Sequence, residues 1–199
     1  MPIAGITALQ GLRDSGKVQP AQRVLINGAA GGVGTFAVQI GKRLGAHVTG
    51  VCSSRNVALA KSLGADRVID YTREDFTRGG DRWDVIFDLV GNHPLAAIRR
   101  VLEPKGVFVG CGGGGIERSS MDYLKGMLGQ AMTASFVSQK LTSVLAKVNT
   151  ADLKLLAELL EKGTIRPVLD RSYPLSNVAE AIGYVETGHA CGKVTIAIR

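Results

Sequence analysis

Short apolar runs alternate with stretches whose apolar side chains recur every three or four residues, and this alternation fills the first two-thirds of the chain. Residues 23–28 (RVLING) read as a strand. Val33, Phe36, Ala37, Ile40 and Leu44 then fall on one face of a helix that Gly45 stops. His47–Cys52 (HVTGVC) predicts a second strand, and residues 57–63 a helix ending at Gly64. Residues 67–71 (RVIDY) predict a third strand, and 83–90 (WDVIFDLV), beyond the polar loop TREDFTRGGDR, a fourth. Pro94 suits the start of a helix with Leu95, Ile98 and Leu102 as its buried stripe, ended by Pro104-Lys105-Gly106. Residues 107–111 predict a fifth strand, and 131–138 (AMTASFVS) offer a sixth.

Strands apolar on both faces, alternating with helices, predict an α/β fold built on a doubly wound parallel sheet of the Rossmann type. The pattern changes near residue 150. Thr150 is the expected N-cap of a helix carrying Leu153, Leu156 and Leu160 to Gly163. Residues 165–171 read as extended, with Pro167 placing them at an edge. Ser176 is the expected cap of a helix with Val178, Ala181, Ile182 and Val185 on its inner face, and residues 193–199 alternate like a strand. The expected organisation is a core over residues 1–149 and a helical and extended C-terminal appendage over 150–199.

The glycines change the picture from fold to chemistry. Ala29-Ala30-Gly31-Gly32-Val33-Gly34 stands where the first strand hands over to the first helix. Glycine is costly inside regular structure, so this cluster marks a place where something approaches the backbone closely. A pyrophosphate on a helix N-terminus fits, with Gly31 giving access and Gly34 close helix–strand packing. A tight structural turn is the plainer alternative. Dinucleotide binders that prefer NAD place an acidic residue at the end of the next strand. Here Val51-Cys52-Ser53-Ser54-Arg55 stands there. Two hydroxyls and a guanidinium suit a 2′-phosphate, which favours NADP(H), although an arginine at a helix start also serves simply as a solvated charge. Val90, Gly91, Gly110, Cys111 and Gly112 close the fourth and fifth strands on the carboxyl edge, where ligands lie in such sheets.

Charge and composition narrow the partners. The net charge is +7, from 24 Lys+Arg against 17 Asp+Glu, but the cations are scattered and aromatic residues make up only 5%. That argues for a phosphate-bearing small molecule and against nucleic acid. Cys52, Cys111 and Cys191 lie far apart, and His47, His93 and His189 share no ligand spacing, so no metal site is expected and the histidines are assigned to surface or packing roles. No apolar run approaches a membrane span and no signal peptide opens the chain, so a cytoplasmic location without membrane association is expected. No G-x-S-x-G elbow supports a hydrolase, and no side chain stands out as catalytic.

The stretches AGITALQGLRDSGKVQPAQRVLINGAAGGVGTFAVQIGKRLGA, SLGADRVIDY, DVIFDLVGN and the closing GKVTIAI together resemble the medium-chain dehydrogenase/reductase superfamily, in its zinc-independent quinone-oxidoreductase-like branch. The resemblance implies an NADPH-dependent oxidoreductase acting on a small quinone, enone or aldehyde, and a homodimer. It implies that Ala30, Gly31, Gly32 and Val33 contact the pyrophosphate, that Ser53, Ser54 and Arg55 take the 2′-phosphate, and that Tyr71 lies beside the adenosine. Gly91, Gly110, Cys111 and Gly112 would follow the nicotinamide half, with Phe136, Val137 and Ser138 lining it, and Lys193 would reach the pyrophosphate. Asn56 stands where many NADPH-binding relatives carry lysine. The superfamily also carries an N-terminal barrel-like domain that holds much of the substrate pocket, and this chain begins in the segment leading out of it. The competing expectation is a nucleotide-binding or nucleotide-sensing module that keeps the fold without turnover. The strand expected at 131–138 would be an exposed edge that a second copy could extend.

Overall fold

In a computed structural model, which describes residues 2–111 and 138–198, the strands β1 (Arg23–Asn27), β2 (His47–Cys52), β3 (Arg67–Asp70), β4 (Trp83–Asp88), β5 (Leu102–Gly110) and β6 (Lys140–Ser143) form one sheet in the order β3-β2-β1-β4-β5-β6. Every neighbouring pair is parallel. The chain therefore starts mid-sheet, winds outward to β3, and crosses back to wind the other way. The reversal falls between β1 and β4, and the crevice at their carboxyl ends is where a doubly wound sheet receives ligands.

Side chains along each strand point alternately to opposite faces, which sorts the core into two layers. Val24, Ile26, Val85 and Phe87 enter the layer shared with helices α1 (Pro2–Gln10), α2 (Gly34–Arg43) and α3 (Val57–Ser62). Leu25, Ile86 and Phe108 enter the opposite layer with Ile98 and Val101 of α4 (Leu95–Val101). Helix α5 (Thr150–Glu161) belongs to the first layer through Leu156 and Leu159. Helix α1, which the sequence pattern did not announce, is buried from Ala4 to Gln10 and packs on both α2 and α5.

Asp152 joins α5 to the N-terminal segment. Its carboxylate accepts from Arg13 Nη1 at 2.7 Å, Gln10 Nε2 at 2.7 Å and Asn149 Nδ2 at 2.8 Å. The Arg13 hydrogen bond outweighs the opposing effect of burial and, with Gln10 and Asn149, holds the carboxyl down to about 2.

Several expectations are corrected. The sixth strand is Lys140–Ser143; residues 131–137 lie outside the described residues. The fourth helix ends at Val101, because Leu102 is already extended and pairs with Trp83, and a register shift follows Trp83. Asn149, not Thr150, caps α5, its side chain accepting from Asp152 N. Leu159 rather than Leu160 completes the buried stripe of α5, and with Leu156 it packs in the first core layer.

What remains outlying is a small βαβ unit. Strands β7 (Leu169–Pro174) and β8 (Lys193–Ala197) pair in parallel as a separate two-stranded sheet, with α6 (Val178–Glu186) between them. On α6 only Ala181 is buried, while Val178, Ile182 and Val185, expected on an inner face, are exposed. Ser176 does not cap this helix; its hydroxyl bonds Asn177.

Candidate functional site

The carboxyl ends of β1, β2 and β4 open on a cleft of about 730 Å³, within the range of small-molecule and cofactor sites. Its floor is the turn between β1 and α2. Gly28 sits at φ +88° and an ideal Cβ there would stand 2.9 Å from Val90 Cγ2, so the turn needs glycine at this point. A Cβ on Gly34 would stand 2.0 Å from Gly28 O, which fixes Gly34 as the contact that seats α2 on β1. Val33, at the N-cap of α2, makes no side-chain cap bond; Thr35 N, Phe36 N and Ala37 N bond the backbone oxygens of Gly31 and Val33, so the N–H groups of Gly32, Val33 and Gly34 are the ones that remain for a ligand.

Lys193 comes back over this turn from β8. An ideal Cβ on Gly32 would meet Lys193 Nζ at 2.5 Å, so the ammonium lies against the glycine backbone. The adjoining Gly192 N donates to Ala30 O at 2.9 Å, which fixes the crossing. Burial lowers the lysine pKa, and Lys193 forms no ion pair among the described residues. A half-buried cation beside the N–H groups of a side-chain-free turn has the donor set of a pyrophosphate site. The residues present fit a dinucleotide.

The far end of the cleft carries Ser53, Arg55, Asn56 and Tyr71. Tyr71, 57% exposed, stands beside the opening. Arg55 Nη2 donates to His189 O at 2.6 Å, drawing the loop Gly188-His189-Ala190 onto the rim. Ser54 is not part of this lining. Its hydroxyl bonds Asp70 Oδ2 and Thr72 Oγ1, and that bond, with those from Thr72, holds the Asp70 carboxyl below the usual range.

Of the residues named from sequence, Ala30, Gly31, Gly32, Val33, Gly34, Ser53, Arg55, Tyr71, Val90 and Cys111 line one cleft. Gly91 and Gly110 stand behind it: Gly91 N donates to Asp88 Oδ1, and Gly110 O accepts from Val144 N. Ser138 is placed elsewhere, its hydroxyl donating to Pro104 O near the amino end of β5. Gly112, Phe136 and Val137 lie outside the described residues. The sequence reading missed Asn27, Gly28, Leu89 and Asn92 at the strand ends, and Gly188, His189 and Ala190. The strand ends carried a signal, since each immediately follows or closes an apolar run; the Gly188–Ala190 loop carried none.

The thiols here are quiet. Burial, reinforced by the charge of Asp70 and by Cys191, pushes Cys52 up to about 11, and burial also raises Cys111. Among the described residues no group of three or more His, Cys, Asp or Glu is placed to hold a metal ion, and no helix is long and apolar enough to cross a membrane.

Fold and cleft together define a dinucleotide-binding α/β protein. Residues 63–196 match the family model described as zinc-binding dehydrogenase, and the chain belongs to that family, in the medium-chain dehydrogenase/reductase superfamily. It is 34% identical to a chloroplastic quinone-oxidoreductase of Triphysaria versicolor, covering 98% of this chain and 60% of that protein. It is 32% identical to the chloroplastic NADPH-dependent alkenal/one oxidoreductase of Arabidopsis thaliana, covering 98% of this chain and 45% of the relative. Among solved structures, the quinone oxidoreductase from Coxiella burnetii superposes with a TM-score of 0.84 at 30% identity, covering all of this chain and 59% of that one. The chain thus spans about half the length of the relatives it matches.

Proposed function

We propose that this chain binds NADPH and supplies the cofactor half of an oxidoreductase of the quinone or enone reductase type. The observation that carries the reading is the Lys193 ammonium held against Gly32 at the N-terminus of α2. Gly31, Gly32, Val33 and Lys193 would hold the pyrophosphate, and Ser53 with Arg55 the 2′-phosphate, where no carboxylate among the described residues lines the cleft. When bound, the cofactor supplies a hydride. The residues of this chain orient it along the carboxyl edge of the sheet and screen it from water, with Val90, Asn92 and Cys111 toward the β4–β5 side. The names of the relatives support a conjugated carbonyl or a quinone as acceptor.

The test is NADPH oxidation by this chain, alone and in a chimaera with the additional segment that its longer relatives carry, offered a small quinone and a small enone. Turnover with at least one supports the reading; binding of NADPH with no turnover of either favours a nucleotide-binding module. We further propose that the protein is a homodimer. Among the described residues β6 is the terminal strand of the sheet, an edge that a second copy could extend. A monomer mass by light scattering at micromolar concentration would oppose this.

A further inference from the structure

Asn27 closes β1 and pairs with Asp88 at the end of β4, across the gap where the winding of the sheet reverses. Both residues are 3% exposed. Backbone donors fix the polarity of the hydrogen bonds that lead outward from them. Val90 N and Gly91 N, which can only donate, meet Asp88 Oδ1 at 3.0 and 2.9 Å, so that oxygen accepts. The carboxamide atom of Asn27 that stands 2.9 Å from the same oxygen is then the nitrogen, Nδ2. Its second hydrogen goes to the Asn92 carboxamide at 3.0 Å, which therefore presents its oxygen there. The branch left over on Asn92 is Nδ2, whose two hydrogens have no partner among the described residues.

Asn27 and Asn92 both line the cleft. Asn27 Oδ1, the other branch of the buried carboxamide, has no partner among the described residues either. Thr35 Oγ1 is the one sealed side-chain oxygen or nitrogen among them that lacks a partner, so Asn27 Oδ1 is open to the cleft. One wall of the cleft thus carries a carbonyl acceptor and an amide donor, both oriented through the buried Asp88 carboxylate. Neither group is charged. Such a pair suits a neutral group that donates and accepts, such as a hydroxyl, rather than a phosphate, which needs donors alone.

Strand order decides which hydroxyls these are. Ser53, Arg55 and Tyr71 stand beyond β2 and β3, the glycine turn follows β1, and Asn92 follows β4, in the spatial order β3-β2-β1-β4. A dinucleotide carries one ribose on each side of its pyrophosphate. With the pyrophosphate on the glycine turn and the adenosine beyond β2, the second ribose comes to the β4 side of the crevice. We infer that Asn92 Nδ2 donates to the hydroxyls of the nicotinamide-side ribose and that Asn27 Oδ1 accepts from them, an inference that rests on the cofactor reading proposed above. Asn92 is an exposed residue whose carboxamide is already held by Asn27, so little side-chain freedom is lost when the ribose arrives.

The experiment measures dissociation constants by calorimetry for the chain and for Asn92→Ala, with three ligands cut back in steps. NADPH carries the whole dinucleotide, 2′-phospho-ADP-ribose keeps the second ribose without the nicotinamide, and adenosine 2′,5′-bisphosphate keeps neither. Asn92 lies outside both core layers, so the variant leaves the fold standing. The inference predicts that Asn92→Ala weakens NADPH and 2′-phospho-ADP-ribose alike, by about three- to tenfold, the worth of one hydrogen bond, and leaves adenosine 2′,5′-bisphosphate unchanged. A loss confined to NADPH would move the contact to the nicotinamide ring, and a loss shared by all three would move it to the adenosine half. Either result, or no loss with any ligand, overturns the assignment of Asn92 while leaving the cofactor reading intact. Failure of the unaltered chain to bind NADPH overturns the cofactor reading and the assignment with it.

Discussion

Lys193 and Gly32 show how a single contact between distant residues sets a cation against the turn proposed to receive a pyrophosphate. The ammonium is partly desolvated, is unpaired within the described residues, and rests on backbone that carries no side chain. Removing it relieves an unfavourable burial and removes a donor to the ligand. Lys193→Met should therefore leave the free protein as stable or more so, yet weaken NADPH and NADH alike by about 10- to 100-fold, the worth of a charge-assisted hydrogen bond. Thermal melts and titrations of both nucleotides check the two halves. Gly34 answers to packing instead. A Cβ 2.0 Å from a backbone carbonyl cannot be absorbed by side-chain motion, so Gly34→Ala should cost about 2–3 kcal/mol in denaturant unfolding. Gly31 differs again, because its nearest neighbour to a Cβ is Gly28 O at 3.4 Å. Gly31→Val should fold and lose the dinucleotide, because the new side chain would compete with a phosphate for the same space.

At the scale of elements, the Asp152 cluster ties α5 to the N-terminal segment and makes stability depend on pH. The native carboxyl sits at about 2 against an ordinary 3.8. A lowered native value stabilises above the unfolded pKa, and that contribution is lost as pH falls through the native one. About 2 kcal/mol should vanish between roughly pH 4 and 2, and Asp152→Asn should remove this dependence from acid unfolding curves. Which elements form was largely legible from periodicity: β1 to β5 and the helices after β1, β2 and β4 follow directly from runs of apolar residues and glycine stops. The glycine turn and Arg55 stood out at strand ends in the sequence, whereas Lys193 was named only through the family resemblance. Other features depend on tertiary context. Helix α1 is buried on most sides, so its apolar residues show no amphipathic stripe. The apolar positions of α6 read as a core face, yet nothing among the described residues covers Ile182 or Val185. Ser54 looked equivalent to Ser53 until Asp70, brought alongside by the β2–β3 pairing, took its hydroxyl. His189 entered the cleft because Arg55 holds its carbonyl, a link that no local pattern announces.

For the whole molecule, the sheet edge can bind a cofactor, but the described residues show no group placed to polarise an acceptor. The relatives are longer, with 40% or more of their length beyond what this chain covers. The 199-residue chain alone should bind NADPH and reduce quinones several orders of magnitude more slowly than a chimaera extended with the segment that its longer relatives carry in addition, because losing orientation alone forfeits roughly 7 kcal/mol. Equal turnover numbers for the two would place the whole pocket within this chain. The central claim, that the cleft is built for a 2′-phosphorylated nicotinamide dinucleotide, is tested most directly by calorimetric titration of NADPH and NADH into the chain and into Arg55→Ala. The account predicts tighter binding of NADPH, and a loss of about 1.5–3 kcal/mol on Arg55→Ala that falls on NADPH and leaves NADH nearly unchanged. Equal affinity for the two nucleotides, or equal losses on removing Arg55, would contradict it.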